Sequence, residues 1–359
     1  MSSIVAVFSP YSDRICMCLD VILNYFLNVI VWISEFFAAL PMSLVTTTHP
    51  NALQIILYYI MILLLVYFFK ISRKFIIVIF LFLVISSIIH LPDNNFRVIT
   101  FDVQNADCFL IKTPKSKYFI VDTGRAGFRG GKSQANSIII KYLKDNGIKN
   151  IEGLIITHFD NDHSGGAVDI INSVNVKKVY VNSFNDKSMT SINIYKTLKQ
   201  QGISTFVPTN NEILYKEDNL VLKAFISNLD EDNEKSIISL FSYNDFDILF
   251  MGDAGVRAFE SLNTIPSNVE VLKVGHHGGA NVVNSKMIEY LNPQVSIIST
   301  GTNFFGHPNK GTLDILRNTN IYRTDIHNSI EVVSDGKKYS VNLFDTQKRK
   351  YVKFADYKI

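Results

Sequence analysis

Cysteine is scarce in this chain: its 359 residues contain only Cys16, Cys18 and Cys108. They can build neither a disulfide framework nor a C-x-x-C metal motif, and read as small buried hydrophobes. A dominant charge is lacking too. With 35 Lys and Arg against 32 Asp and Glu, no global basic field points to nucleic acid, so such a partner must be argued from local features. The front of the chain is almost bare of charge: residues 1–90 carry only Asp13, Arg14, Asp20, Glu35, Lys70, Arg73 and Lys74. There is no signal-peptide cleavage pattern, since Met1-Ser2-Ser3 is not a charged n-region and the apolar runs are too many and too long. No internal repeat or low-complexity segment is present.

What the front does contain is apolar runs, so residues 1–91 read as a membrane anchor of two or three transmembrane helices. Residues 52–69 lack charge over a length that meets the spanning threshold. Residues 75–89 form a shorter run, closed by His90 and Pro92. Between them lies Lys70-Ile71-Ser72-Arg73-Lys74, a basic loop that the positive-inside tendency assigns to the cytoplasm. Residue 92 onward then falls on the extracytoplasmic side. The first run, 15–40, differs. At helical spacing Asp20, Asn24, Asn28 and Glu35 fall within an arc of roughly 80°. That stripe fits a helix lying at the interface or a spanning helix facing other helices or a watery path.

After Pro92 strands and helices alternate. Strands are expected over 96–101, 108–112, 118–121, 154–157, 178–181, 220–224, 236–242, 247–251, 269–274 and 295–299. Helices are expected over 133–146, 168–174 and around 313–317, and Asp335-Gly336 marks a hairpin between 329–334 and 339–343. Polar motifs recur just after strand ends, where α/β enzymes place their sites. His49 and His90 flank the membrane runs; the other six histidines, His158, His163, His276, His277, His307 and His327, lie in the body.

The densest segment is Thr157-His158-Phe159-Asp160-Asn161-Asp162-His163-Ser164-Gly165-Gly166. His158 and Asp160 are two apart and point the same way in an extended chain; Asp162 and His163 follow in the turn. Such nitrogen and oxygen donors suit one or two divalent ions, zinc or manganese. Without a cation, so many charges in so small a space are costly. Gly165 and Gly166 let the backbone pack closely as the next helix begins.

This segment resembles the H-x-[HD]-x-D-H signature of the metallo-β-lactamase superfamily. The neighbouring motifs Asp122-Thr123-Gly124, Asn233 with Ser236, Met251-Gly252-Asp253, Lys273–Gly278, Gly306-His307-Pro308 and Arg323-Thr324-Asp325 follow the order and spacing of the C-terminal domain of ComEC-type proteins, membrane proteins of bacterial DNA uptake during natural competence. The resemblance covers about residues 96–345. It implies an α/β fold, an αββα sandwich over 92–359. It also implies a nuclease that hydrolyses the DNA strand not imported, a cell-membrane location, and other components of an uptake channel as partners.

By resemblance, His158 and Asp160 would serve one metal, Asp162 and His163 the other, Asp253 would bridge, and His276 would be the last histidine ligand, with His277 less favoured. Asp162 would orient or deprotonate the attacking water. Asp122 would hold a ligand histidine in orientation. His307, Arg323 and Asp325 would be substrate-side or support residues, and Lys112, Lys115, Lys117, Arg125, Arg129 and Lys132 could meet phosphates. The chain departs from the pattern in three ways. No histidine lies between His163 and His276, and Asn233 or Ser236 stands near the place of the absent ligand. The family's strand-end G-Q-G-D is Gln104-Asn105-Ala106-Asp107 here. Full ComEC-type proteins also carry a further soluble domain and a larger membrane domain. The competing functions are hydrolysis of another ester, thioester or lactone and a non-catalytic subunit of an uptake complex.

Overall fold

The structure, a computed structural model, describes residues 13–39, 52–67, 93–127, 131–184 and 187–359. The chain divides into two compact units, Met1–Thr48 and His49–Ile359. The expected boundary at 91/92, the third apolar run and the basic loop all lie outside the described residues. In the first unit the run at 15–40 forms one helix, Asp13–Ala39. Large side chains such as Tyr25, Phe26, Ile30 and Trp32 are exposed on it. The second unit begins with the helix Ala52–Tyr67. Among the described residues no helix is long and apolar enough to cross a membrane.

The rest of the second unit is built on two large sheets. In chain order the strands are β1 (Phe96–Thr100), β2 (Phe109–Lys112), β3 (Tyr118–Val121), β4 (Asn150–Ile151), β5 (Gly153–Ile156), β6 (Asn175–Val176), β7 (Lys178–Val181), β8 (Ser204–Phe206) and β9 (Glu212–Glu217). There follow β10 (Leu220–Phe225), β11 (Ile238–Tyr243), β12 (Phe246–Phe250), β13 (Val271–Lys273), β14 (Val295–Ile298), β15 (Asn320–Arg323), β16 (Ile330–Ser334), β17 (Lys338–Asp345) and β18 (Lys350–Lys358). One sheet has the order β18-β17-β16-β1-β2-β3-β5-β7-β8 and the other β15-β14-β13-β12-β11-β10-β9.

The period-2 alternation of the strands explains the layers, because both faces of each sheet are apolar. On one face Phe109, Ile111, Phe119, Val121 and Ile155 meet Leu222, Phe241, Ile248 and Phe250 of the other sheet. Edge-to-face ring pairs such as Phe109–Phe250, with centroids 5.1 Å apart, span that layer. On the opposite face Leu110, Ile120, Leu154 and Ile156 pack against helical Ile139, Leu143, Ala167 and Ile170. The outer face of the second sheet, with Leu249 and Leu272, is covered by helical Ala258, Met287 and Leu291. The result is the expected αββα order. Packing both sheets back to back brings the carboxyl ends of β3, β5, β12, β13 and β14 to one end of the sandwich, and the histidine motifs follow those ends.

Candidate metal centre

Each polar motif enters the centre by a backbone feature. At the end of β3 the chain turns through Asp122, whose φ is +55°, a conformation aspartate tolerates better than most residues. That turn sends its carboxylate inward, fully buried. Asp122 accepts from the Thr157 amide at 2.8 Å, the Thr157 hydroxyl at 2.7 Å and His163 Nδ1–H at 2.7 Å. β5 delivers His158, and the short helix Asn161–Ser164 carries Asp162 and His163. Gly166 is needed there: a Cβ on it would lie 2.5 Å from the Thr123 carbonyl oxygen. β12 ends in Met251-Gly252-Asp253, with Gly252 at φ +57°. After β13 the chain passes His276 at φ +46° and His277 at φ +53°. Such left-handed backbone costs of order 1 kcal/mol or more per residue, and it aims both rings at the centre.

The three buried imidazoles share one hydrogen-bond arrangement. His163 gives Nδ1–H to Asp122. His277 gives Nδ1–H to the Ser299 carbonyl at 2.9 Å. Nδ1 of His158 lies 3.3 Å from the Ser236 hydroxyl and 3.2 Å from that of Thr157. In each ring Nε2 is left over and buried, facing the other ligand candidates rather than a support group, as is Oδ1 of Asp253. A metal-ligating histidine shows this pattern: one nitrogen fixed from outside, the other free. His158, His163 and Asp253 form one set of potential ligands whose donor atoms lie within 4.8 Å of one another; Asp162, His163 and His277 form a second. His163 Nε2 lies 3.1 Å from Asp253 Oδ1, and Asp160 Oδ2 lies 3.5 Å from His158 Nε2. The donors therefore fit a divalent cation.

Electrostatics agree. Burial lowers the pKa of His163, but the Asp253 and Asp122 carboxylates raise it well above its ordinary value. Burial raises that of Asp253, while His163, His277 and His158 pull it far below the usual carboxylate range. His277, opposed by burial, is pushed up to about 9 by Asp107 and Asp162. The protein so holds protons where a cation would replace them.

The structure brings His158, Asp160, Asp162, His163, Asp253, His276 and His277 together with Asp122 and Ser236. The two last histidines face different carboxylates. His277 is buried, with Nε2 3.5 Å from Asp162 Oδ2, whereas His276 is partly exposed, with Nε2 3.8 Å from Asp253 Oδ2. His307 stands at the mouth, its ring 5.1 Å from that of His276 and 6.4 Å from that of His277. Where a ligand histidine is absent, the Ser236 hydroxyl accepts from the Asp253 amide at 3.2 Å and touches His158. Asn233 contributes a backbone carbonyl to Ser236. Arg323 and Asp325 form a two-pronged pair with each other at 3.0 and 2.6 Å.

The basic residues divide. Arg125 lies at the centre, Nη2 3.5 Å from Asp162. Lys112, Lys115 and Lys117 do not lie near it, contrary to expectation. They sit on the β2–β3 hairpin, and β2 starts beside the centre and runs away from it. Lys112 pairs with Asp93, and Lys115 with Asp218 at 2.8 Å. Lys132 is exposed, and Arg129 lies outside the described residues.

Two residues escaped the sequence reading. Asp107, wholly buried, pairs with buried Lys273 and lies 3.4 Å from His277 Nδ1. Lys273 also donates to the Gly252 carbonyl at 2.9 Å. With that ammonium beside it, Asp107 is already neutralised and is support rather than a ligand. The signal was present: Asp107 ends the strand-end motif 104–107, and Lys273 opens the motif 273–278.

Residues 102–302 match the metallo-beta-lactamase superfamily. The chain is 30% identical over 215 residues to Recombination protein 2 of Haemophilus influenzae, a match covering 59% of this chain and 25% of that protein. It is 25% identical over 206 residues to ComE operon protein 3 of Bacillus subtilis, covering 55% and 26% respectively. The match to Competence protein ComA of Neisseria gonorrhoeae is 22% over 246 residues, covering 67% and 32%. The chain thus matches about a quarter to a third of the length of these relatives. Among solved structures, the metallo-beta-lactamase fold protein YhfI of Bacillus subtilis aligns with TM-score 0.47 and 10% identity, over 67% of this chain and 100% of that one. The chain belongs to the metallo-beta-lactamase superfamily and is similar within it to ComEC-type competence proteins.

Proposed function

We propose that this chain is a membrane-associated, metal-dependent hydrolase that cleaves DNA phosphodiester bonds during DNA uptake, beside other components of an uptake channel. One observation carries the reading: Nε2 of His158, His163 and His277 converges with the Asp253 carboxylate in a buried cluster, where Nε2 of His158 and His277 has no hydrogen-bond partner and the closest contact is His163 Nε2 to Asp253 Oδ1 at 3.1 Å. Left unsatisfied, each such atom costs about 1–3 kcal/mol, and a cation removes that cost. That similar proteins are named for competence and recombination supports DNA as the substrate.

His158, Asp160 and Asp253 would hold one ion, and Asp162, His163 and His277 a second. A divalent cation, zinc or manganese, supplies Lewis acidity there and makes water a usable nucleophile near neutral pH. Asp122, Ser236 and the Ser299 carbonyl hold the imidazoles in the ligating tautomer. Asp162 would orient the water or accept its proton; against the effect of burial, His277 and His163 hold its carboxyl below the usual range, so it is ionised at neutrality. Arg125 beside it attracts a phosphate.

The test uses the full chain in detergent with end-labelled single- and double-stranded DNA and zinc or manganese. Cleavage is expected to need metal and to vanish with chelator and in an Asp162→Ala, His163→Ala variant. A metal-loaded chain that leaves DNA intact would contradict the reading, and turnover of a thioester or lactone instead would assign another hydrolase chemistry. The exposed apolar side chains of the helix Asp13–Ala39 support membrane association. On this reading the basic loop at residues 70–74 is cytoplasmic and the catalytic unit lies outside the cytoplasm; a reporter fused after Ile359 that works only in the cytoplasm would contradict it.

A further inference from the structure

Beyond the centre, the loop after β14 presents an unusual surface. Phe304 and Phe305 are adjacent and exposed, at 105% and 72%. Two neighbouring phenyl rings in water are unfavourable for a chain that has nothing to place on them. The loop that carries them is braced. The Asn303 side chain donates to the Gly301 and His307 carbonyls at 2.8 and 2.7 Å, and accepts from the Phe305 and His307 amides at 3.0 and 3.1 Å. One amide side chain so fixes both ends of the turn, and the rings are displayed from a defined backbone.

The loop is continuous with the metal centre. The Phe305 ring is 5.9 Å from that of His307, which stands 5.1 Å from His276. A Cβ on Gly301 would lie 2.6 Å from Gln104 Cα, so the loop backs directly onto the segment 104–107. Arg125 donates to the Asn105 carbonyl at 3.2 Å from the other side of that segment and reaches Asp162. One wall of the site therefore carries a guanidinium at the reacting position and two phenyl faces at the mouth. That combination suits a strand whose phosphates and bases are both accessible. In a duplex the bases are stacked on one another and present no free face to a phenyl ring.

We propose that Phe304 and Phe305 form a stacking platform for unpaired bases, which makes single-stranded DNA the preferred substrate of this centre. The proposal rests on the DNA-hydrolase reading above and deepens it. The platform is sequence-tolerant, because every base offers a face. It acts on the nucleotides flanking the scissile phosphate, not on the reacting atoms.

The test measures binding without turnover: the full chain in detergent with chelator, a labelled oligo-dT strand, and an abasic strand of the same length. Both strands carry the same phosphates, so only the bases differ. The wild type is expected to bind oligo-dT about 5-fold or more tightly than the abasic strand, the low end of what one stacked base contributes. Phe304→Ala with Phe305→Ala should abolish that preference and leave abasic binding unchanged; Phe304→Trp with Phe305→Trp should keep it. Equal wild-type affinity for the two strands, or a preference that survives in the alanine variant, overturns the platform and leaves the hydrolase reading standing. Failure of the wild type to bind either strand overturns the platform, and the hydrolase reading is decided separately by the cleavage assay with metal. If the alanine variant keeps the oligo-dT preference but loses binding to anionic vesicles, the rings are a membrane contact and the proposal is wrong.

Discussion

Replacing Asp122 by asparagine changes one atom pair and separates folding from metal binding. Asp122 accepts three hydrogen bonds, two from Thr157 and one from His163 Nδ1–H. In Asp122→Asn the carbonyl oxygen still accepts from the Thr157 amide, and the hydroxyl rotates to accept from the new NH2 group. The NH2 group offers His163 a donor, so the imidazole moves its proton from Nδ1 to Nε2. Nε2 is the atom that faces Asp253 at 3.1 Å, and a protonated Nε2 cannot ligate. Loss of such an orienting partner weakens metal binding about 10- to 100-fold. The exchange of a charged for a neutral acceptor costs the fold about 1–3 kcal/mol, a fall in Tm of roughly 2–5 °C for a unit of this size. The assay is competition for zinc against a chromophoric chelator at pH 7.5, with thermal unfolding of the metal-free chain alongside. A folded Asp122→Asn chain with wild-type zinc affinity would refute the tautomer argument.

Other consequences follow from the same centre. Lys273→Met leaves Asp107 buried without its ammonium, with only the imidazoles of His277 and His163 beside it, and should lower stability by about 3–5 kcal/mol; adding Asp107→Leu should recover part of that loss in thermal unfolding, and no recovery would show that the pair is not the cause. His277→Ala should lose metal affinity, whereas His276→Ala should retain most of it, because only His277 has a buried Nε2 without a partner; equal losses in a metal titration would contradict the assignment. In the metal-free chain the raised pKa of His277, about 9, contributes stability that is full below about pH 6.5 and is lost as pH rises through about 9, on the order of 3 kcal/mol. Tm with chelator should therefore fall over that range, and a Tm that stays flat or rises would argue against the Asp107–His277–Asp162 contacts.

The fold was legible wherever strands are buried on both faces. β3, β5, β12, β13 and β14 are short, β-branched or aromatic runs that lead into Asp, His or Gly, and the sequence marks them as strands. Elements without that contrast were missed. β9 and β18 are half-exposed edge strands with mixed polarity. The helix Met189–Gln201 has polar residues around most of its circumference, and its clear signals are the Ser188 cap and the left-handed Gly202 at its end. The metal-binding segment was readable because His158, Asp160, Asp162 and His163 are local. Asp107 with Lys273, 166 residues apart, could not be paired from spacing alone. The choice between His276 and His277 depends on the turn after β13, whose left-handed backbone no local pattern announces. Lys112, Lys115 and Lys117 read as phosphate contacts for a related reason: sequence alone does not say at which end of a strand a lysine sits.

The most direct test of the central claim is the metal content of the full chain, purified without chelator, beside an Asp253→Ala, His163→Ala variant of matched secondary structure. The account predicts at least one equivalent of divalent cation in the wild type and none in the variant, with removal of the ion by chelator lowering Tm and its return restoring it. A wild-type chain that folds, takes up no zinc or manganese at neutral pH and melts at the same temperature with and without chelator would contradict it.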